Sequence, residues 1–347
     1  MKFIYKKIIS LFFFIVYGKI QIYKKSTSNI FLKKIYIDLN QSIDLYVLKK
    51  SRIYTDCHTN VAYISENFII PKISYQQNKN VVSSVKFNSS LKYGTPKFKK
   101  YFKGSIFSLL QGSSGSNYWH WLYDIMPKIE LLYKNDYLRK IDFFYVPDVN
   151  KFIIETFKLY GIKKNQLINS KDFKHIVADQ IYVFEHLYIK EGNFVNAFEK
   201  IPKWIPFFLN RKFLKLKKKF KCSKKIFIDR SDSKFIHFKI INYKETKKFF
   251  KKKGFKFYKL SKLSFLKQVY LFYHADIIVG AHGAGFANLA FCKKKTRVYE
   301  FLPKKESHRN GYKTISNYLK LRHYKIITKN EPLFGINVDT KLIKNFF

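Results

Sequence analysis

The chain has 347 residues, and its 68 Lys plus Arg against 23 Asp plus Glu give a formal charge of +45, yet 47% of it is hydrophobic and 19% aromatic. So much apolar side chain excludes an intrinsically disordered polymer and suffices for a sizeable core, with a length that suits two domains of roughly 150 residues. Three scattered cysteines, Cys57, Cys222 and Cys292, exclude a disulfide framework or a Cys-rich zinc module.

The charge has two readings. The excess is mostly Lys and comes with abundant Ile, Phe, Tyr and Asn, all encoded by A- and T-rich codons, so genome bias alone would spread it over solvated faces such as 215–219 and 247–253. The other reading is attraction to an anionic membrane surface or to anionic substrates. No specific nucleic-acid partner is expected.

In the N-terminal segment, residues 1–30, Lys6 and Lys7 precede an apolar run over residues 8–17. A spanning helix needs about 20 apolar residues, and no small-residue cleavage site follows. The run reads as an interfacial or buried segment, with a short signal anchor as the alternative. A cytoplasmic protein held peripherally at the inner face of a membrane is the matching expectation.

Short alternating stretches from residue 30 to 103, such as 35–38 and 43–48, predict strands. A strand at 105–110, a Gly- and Ser-rich turn at 111–117 and a helix at 118–133 come next, with Pro127 forcing a kink or a restart. A strand at 141–146, a helix at 151–160 closed by Gly161 and a strand at 181–184 continue an α/β alternation. Pro202, Trp204 and Pro206, with the Lys-rich stretch after them, mark a boundary between a domain at 31–205 and another at 206–347.

The second domain is more regular. Strands are predicted at 225–229, 255–260, 276–280 and 297–301. Helices fall between them: one begins at Asn242 with a capping box to Glu245 and ends at Gly254, one runs from Ser264 through His274, and one spans 286–291. Such a series winds into a parallel sheet whose ligands bind at the carboxyl ends of the strands.

Three constellations could carry chemistry. The segment 280–288, GAHGAGFAN, joins a buried strand to a helix, where glycines admit a close ligand and the helix N-terminus offers N–H groups to a diphosphate. It is neither a dinucleotide fingerprint nor a P-loop, so a plain tight turn fits the spacing equally well. Arg230, followed by Ser231, Asp232 and Ser233, ends the first strand of that half, on the same edge as His282 and Glu300. An Arg fork suits phosphate oxygens, and a Glu at a strand end suits a ribose diol. In the first half His120 and Asp124 share a helix face, either as a general base and its neighbour or as a helix-stabilising pair.

In combination these segments resemble glycosyltransferase family 61. Asn117-Tyr118-Trp119-His120-Trp121-Leu122-Tyr123-Asp124 with Pro127 is similar to that family's N-x-x-H-x-x-x-D segment. Residues 226–233 (IFIDRSDS), 263–269 (LSFLKQV), 278–289 (IVGAHGAGFANL) and 298–301 (VYEF) resemble its later motifs in order and approximate spacing. Many relatives carry Pro or Val at position 281 and Leu or Leu-Thr after Gly285, where this chain has Ala281 and Phe286-Ala287.

The resemblance implies a GT-B fold, two Rossmann-like domains facing a cleft, with an acceptor-side domain at 31–205 and a nucleotide-sugar-binding domain at 206–347. It also implies transfer with inversion from a nucleotide-sugar donor, UDP-linked in the characterised eukaryotic members, to a glycan or other hydroxyl acceptor; bacterial members are associated with capsule and surface polysaccharides. On this reading Asp124 is the catalytic base with His120 beside it. Arg230, Ser231, His282, Gly283, Ala284, Gly285 and Asn288 hold the nucleotide sugar, and Glu300 its ribose. No cofactor and no metal are expected, since no acidic pair flanks a short spacer in the second half. The alternative from another class is a non-catalytic basic module binding nucleic acid or polyanionic glycan.

Overall fold

The structure, a computed structural model, describes residues 2–24, 28–57, 59–78, 81–110, 117–189, 192–193, 198–233 and 237–347. It divides into two units, Met1–Ala197 and Phe198–Phe347. The boundary expected between residues 205 and 206 falls inside the helix Trp204–Leu214. Pro206 sits in that helix's first turn, where a missing N–H breaks no helical hydrogen bond.

The first unit opens with helix α1 (Lys2–Tyr17), longer than the apolar run that predicts it. One continuous sheet follows. It is built from β1 (Gln21–Ile22), β2 (Ile30–Tyr36), β3 (Ser42–Thr55), β4 (Asn60–Ser65), β5 (Phe68–Ile69), β6 (Tyr75–Asn78) and β7 (Val81–Ser83), then β8 (Lys100–Ser108), β9 (Phe143–Val146), β10 (Leu167–Asn169), β11 (His175–Phe184) and β12 (Gly192–Asn193). The main path through it runs β10-β9-β8-β11-β3-β4-β6-β7-β12. Strand β3 organises the antiparallel part: residues 42–48 pair with β2, residues 52–55 with β4, and β11 lies along its other edge. The core includes Leu48, Ile53, Tyr63, Ile106, Tyr145, Ile181 and Val183.

The block β10-β9-β8-β11 is parallel throughout, and β1 also pairs with β5 in parallel. Counted in chain order the block reads 3-2-1-4, a Rossmann-type arrangement joined edge-on to an antiparallel sheet, so the doubly wound pattern covers part of this unit. The Gly- and Ser-rich turn expected at 111–117 lies, apart from Asn117, outside the described residues.

The second unit follows its predicted alternation closely. Strands β13 (Lys225–Ile228), β14 (Lys256–Tyr258), β15 (Ile277–Ala281), β16 (Arg297–Pro303) and β17 (Arg322–Thr328) form a wholly parallel sheet in the order β14-β13-β15-β16-β17. Counted within the unit this is 2-1-3-4-5, the flavodoxin-like doubly wound order. Phe227, Phe250, Phe255, Val279 and Phe301 pack its core with Ile336 and Val338. The helix Tyr243–Lys252 ends before Gly254 at φ +80°, as expected. Asn242 is its N-cap and bonds Glu245 at 3.1 Å, but its side chain accepts no N–H of the first turn. Its side chain exchanges hydrogen bonds with the Val338 backbone instead, at 2.8 and 3.0 Å, and so ties the C-terminal segment to the sheet.

Candidate functional site

In the parallel block of the first unit the strand order reverses between β8 and β11, the position at whose carboxyl edge doubly wound sheets place their ligands. The chain after β8 returns as the turn Tyr118–His120, whose N-cap Asn117 accepts the Trp119 N–H at 2.9 Å. A π-turn, Trp121–Ile125, and a helix, Met126–Lys134, continue it. Pro127 accounts for the π-turn. It has no N–H for the Tyr123 carbonyl and its ring would press on that oxygen. The wider turn, with Met126 N–H bonded to Trp121 O, relieves both.

Asp124 lies inside that turn with no solvent exposure, while the side chain of His120 keeps 13%. Nδ1 of His120 is 2.6 Å from Asp124 Oδ2, and the Tyr188 hydroxyl donates to Oδ1. His186, just beyond the end of β11, accepts backbone N–H groups of Ile189 at 2.9 Å and Tyr188 at 3.3 Å on Nδ1. Its proton is therefore on Nε2, which faces Asp124 Oδ2 at 3.7 Å. Burial alone would raise the Asp124 carboxyl, but His120 and then His186 outweigh it and hold the group well below the usual carboxylate range. Lys128, one turn further on, is buried with Nζ 3.4 Å from Phe184 O. Burial lowers its pKa to about 7 against the pull of Asp124 and Glu185.

An ionised carboxylate only accepts, so Asp124 fixes the proton of His120 on Nδ1 and leaves Nε2 as the basic nitrogen. Asp124, expected to be the base itself, is closed off from solvent with its oxygens engaged by His120 and Tyr188. The geometry suits an orienting carboxylate behind a partly exposed imidazole.

In the second unit the register aligns Ile228, Gly280 and Glu300 across three neighbouring strands. Arg230 and His282 follow two residues beyond Ile228 and Gly280, on the carboxyl edge where the order reverses between β13 and β15. Nη1 of Arg230 donates to His282 O, and Tyr312 donates to Gly283 O at 2.7 Å. The glycine run then enters a 3-10 helix, Ala284–Phe291, with Gly283 at its N-cap. Its first N–H groups have no carbonyl within the helix to bond, and residues 283–285 are half-buried rather than sealed. A Cβ on Gly285 would come within 3.0 Å of Leu260 Cδ1, so this residue is small because the turn packs tightly on its neighbours.

Behind this corner runs a polar relay. Nδ1 of His282 is 2.5 Å from Glu300 Oε1, Nε2 of His323 is 3.0 Å from Glu300 Oε2, and Nδ1 of His323 is 2.8 Å from Ser316 Oγ. Burial would raise Glu300, but His282 and His323 bring it down to about 2. With both oxygens taken and almost no exposure, Glu300 is not placed to receive a ribose diol. It holds His282 in one tautomer and orientation. Asn288, expected at the nucleotide, is fully buried and bonds Gly285 O and Gln268 Oε1, each at 3.1 Å, so it supports the turn from below. Ser231 is exposed next to Arg230, its N–H on Asp229 Oδ1 at 2.9 Å. Residues 234–235 of the loop after Arg230 lie outside the described residues. Ala281, Phe286 and Ala287, the positions that differ from many relatives, are buried.

The structure thus gathers Arg230, His282, residues 283–285 and Glu300 in one unit and His120 with Asp124 in the other. It adds His186, Tyr188, Lys128, Tyr312 and His323, none of which belongs to a motif. His186 and Tyr188 had one legible signal: they directly follow a strand, on the carboxyl edge. Among the described residues no three His, Cys, Asp or Glu side chains converge as a metal-ligand set.

A family model described as Glycosyltransferase 61 matches residues 118–299, more than half of the chain, and the protein belongs to that family. No curated protein matches the sequence. Family membership makes it a glycosyltransferase, and that class of enzyme transfers a sugar from a nucleotide-sugar donor to a glycan acceptor.

Proposed function

We propose that the chain moves a sugar from a nucleoside-diphosphate donor, with UDP the expected nucleotide, to a hydroxyl of a glycan, inverting the anomeric centre without a metal ion, in the synthesis of a surface or capsular polysaccharide. The observation that carries this reading is the corner formed by Arg230 and the Gly283 turn. A guanidinium and the start of a helix meet there at a strand-order reversal, where doubly wound sheets bind phosphates.

In this mechanism the acceptor hydroxyl attacks the anomeric carbon from the face opposite the nucleotide. His120 Nε2 takes its proton while Nδ1–H stays on Asp124, and a base so placed is worth roughly 10²–10⁴ in rate. The bond from the anomeric carbon to the phosphate oxygen breaks and its electron pair leaves with the diphosphate. Arg230 and the N–H groups at residues 284–285 meet that developing charge; one such preorganised donor contributes ~3–4 kcal/mol to the transition state.

The test is a thermal-shift screen against UDP, GDP, CMP and TDP sugars, followed by incubation of the stabilising donor with oligosaccharide acceptors in excess chelator. Product of inverted anomeric configuration by proton NMR is expected. Retained configuration, or activity lost in chelator and restored by manganese, contradicts the proposal.

A further inference from the structure

Helix α1 is apolar on two opposite sides. One side packs on its own unit: Ser10 and Phe13 are buried, Phe14 lies against Gly94, and Tyr17 sits beside Arg52, Lys99 and His175. The other side carries Ile8, Leu11, Phe12 and Ile15 at helical spacing, and all four are exposed, Ile15 by 78% and Leu11 by 62%. Phe98, itself 72% exposed, meets Phe12 at 6.3 Å and Phe13 at 5.3 Å between ring centroids, which extends the stripe beyond the helix.

The segments that carry this stripe are rich in cations, although Asp179 accepts the Tyr101 hydroxyl beside them. Residues 1–24 and 94–103 contain Lys2, Lys6, Lys7, Lys19, Lys24, Lys97, Lys99, Lys100 and Lys103 and no Asp or Glu. Lys97 and Lys99, on either side of Phe98, are exposed. A second copy of the chain would bring the same cations against one another, an unfavourable pairing. An anionic bilayer complements both features, with acyl chains for the apolar face and headgroup charge for the lysines. No described helix is long and apolar enough to cross a membrane, so α1 fits an interfacial placement rather than a spanning one.

We propose that α1 and Phe98 dock the first unit on an anionic membrane surface, with Ile8, Leu11, Phe12 and Ile15 immersed at the headgroup boundary. This rests on α1 and residues 94–103 and holds whatever sugar the enzyme transfers. The test is flotation of the full chain with vesicles of phosphatidylcholine, with and without phosphatidylglycerol. Binding is expected to the anionic vesicles, to weaken with added salt, and to fall by ~10-fold or more in a Leu11→Ser/Ile15→Ser variant. Both positions are exposed, and an unchanged melting temperature will show that the variant folds; Phe98→Ser, outside the helix, provides an independent second variant with the same expected direction. Absence of binding to anionic vesicles, or binding that neither variant weakens, overturns the proposal. So does a lipid-free dimer that the same substitutions dissociate, because the stripe would then belong to a second copy.

Discussion

The guanidinium of Arg230 fills the space that a side chain at position 283 would need: a Cβ built on Gly283 lies 2.5 Å from Arg230 Cζ and 2.6 Å from Nη1. The glycine is there so that the arginine can cross the turn and bond the His282 carbonyl. Gly283→Ala should therefore displace Arg230 and weaken nucleoside-diphosphate binding about as much as Arg230→Ala, by ~10-fold or more, the equivalent of ~1.4 kcal/mol. Calorimetric titration of both variants checks this; full affinity in Gly283→Ala would show that the arginine's position is immaterial to the ligand.

His120 and Asp124 divide one task, so their variants should resemble each other in kinetics. His120→Ala and Asp124→Asn are each expected to lower kcat by ~10²–10⁴ while leaving the donor KM within a few-fold. Steady-state kinetics with a saturating acceptor measures both. A large rise in donor KM with kcat preserved would move the pair from proton transfer to donor binding.

Tyr188→Phe removes the donor to Asp124 Oδ1 and leaves a buried carboxylate oxygen short of a partner. A cost of ~1–3 kcal/mol is expected, seen as a melting temperature several degrees lower. A drop in kcat should accompany it, because Asp124 then orients His120 less firmly. Tyr188→Phe with unaltered kcat would reduce this contact to a structural one.

Glu300 sets a pH dependence whose sign follows from its lowered pKa. The carboxyl titrates near 4.5 when unperturbed and at about 2 in the fold, so its contribution to stability is full above pH 4.5 and disappears as the pH falls toward 2. Glu300→Gln should be less stable than the parent at neutral pH, and the difference should narrow across that window. Denaturant unfolding at a series of pH values reads it directly. A gap that stays constant down to pH 2 would mean that the histidines do not engage the carboxylate.

Much of the second unit was legible because β13, β15 and β16 are short, mostly buried apolar runs, and the edge shared by Arg230, His282 and Glu300 follows from a parallel sheet alone. The roles of Glu300 and Asn288 were not. Sequence places both at a strand or helix end, whereas their burial depends on His323, Gln268 and Tyr312, which arrive from elements distant in the chain. The first unit was less legible. Strand β3 exchanges partners along its length, so alternation reveals the strand but not its neighbours. The Asp124 environment needs β11 to bring His186 and Tyr188 from some sixty residues away, although Pro127 did announce the irregular turn that holds the carboxylate.

The most direct measurement is calorimetric titration of UDP, in excess chelator, into the parent chain, Arg230→Ala and Asp124→Asn. Saturable one-site binding is predicted for the parent, weakened at least ~10-fold in Arg230→Ala and unchanged in Asp124→Asn. Titration of GDP, CMP and TDP in the same way covers a different base preference. Failure of every nucleotide to bind the folded parent, or binding indifferent to Arg230→Ala, would contradict a diphosphate site at the glycine corner.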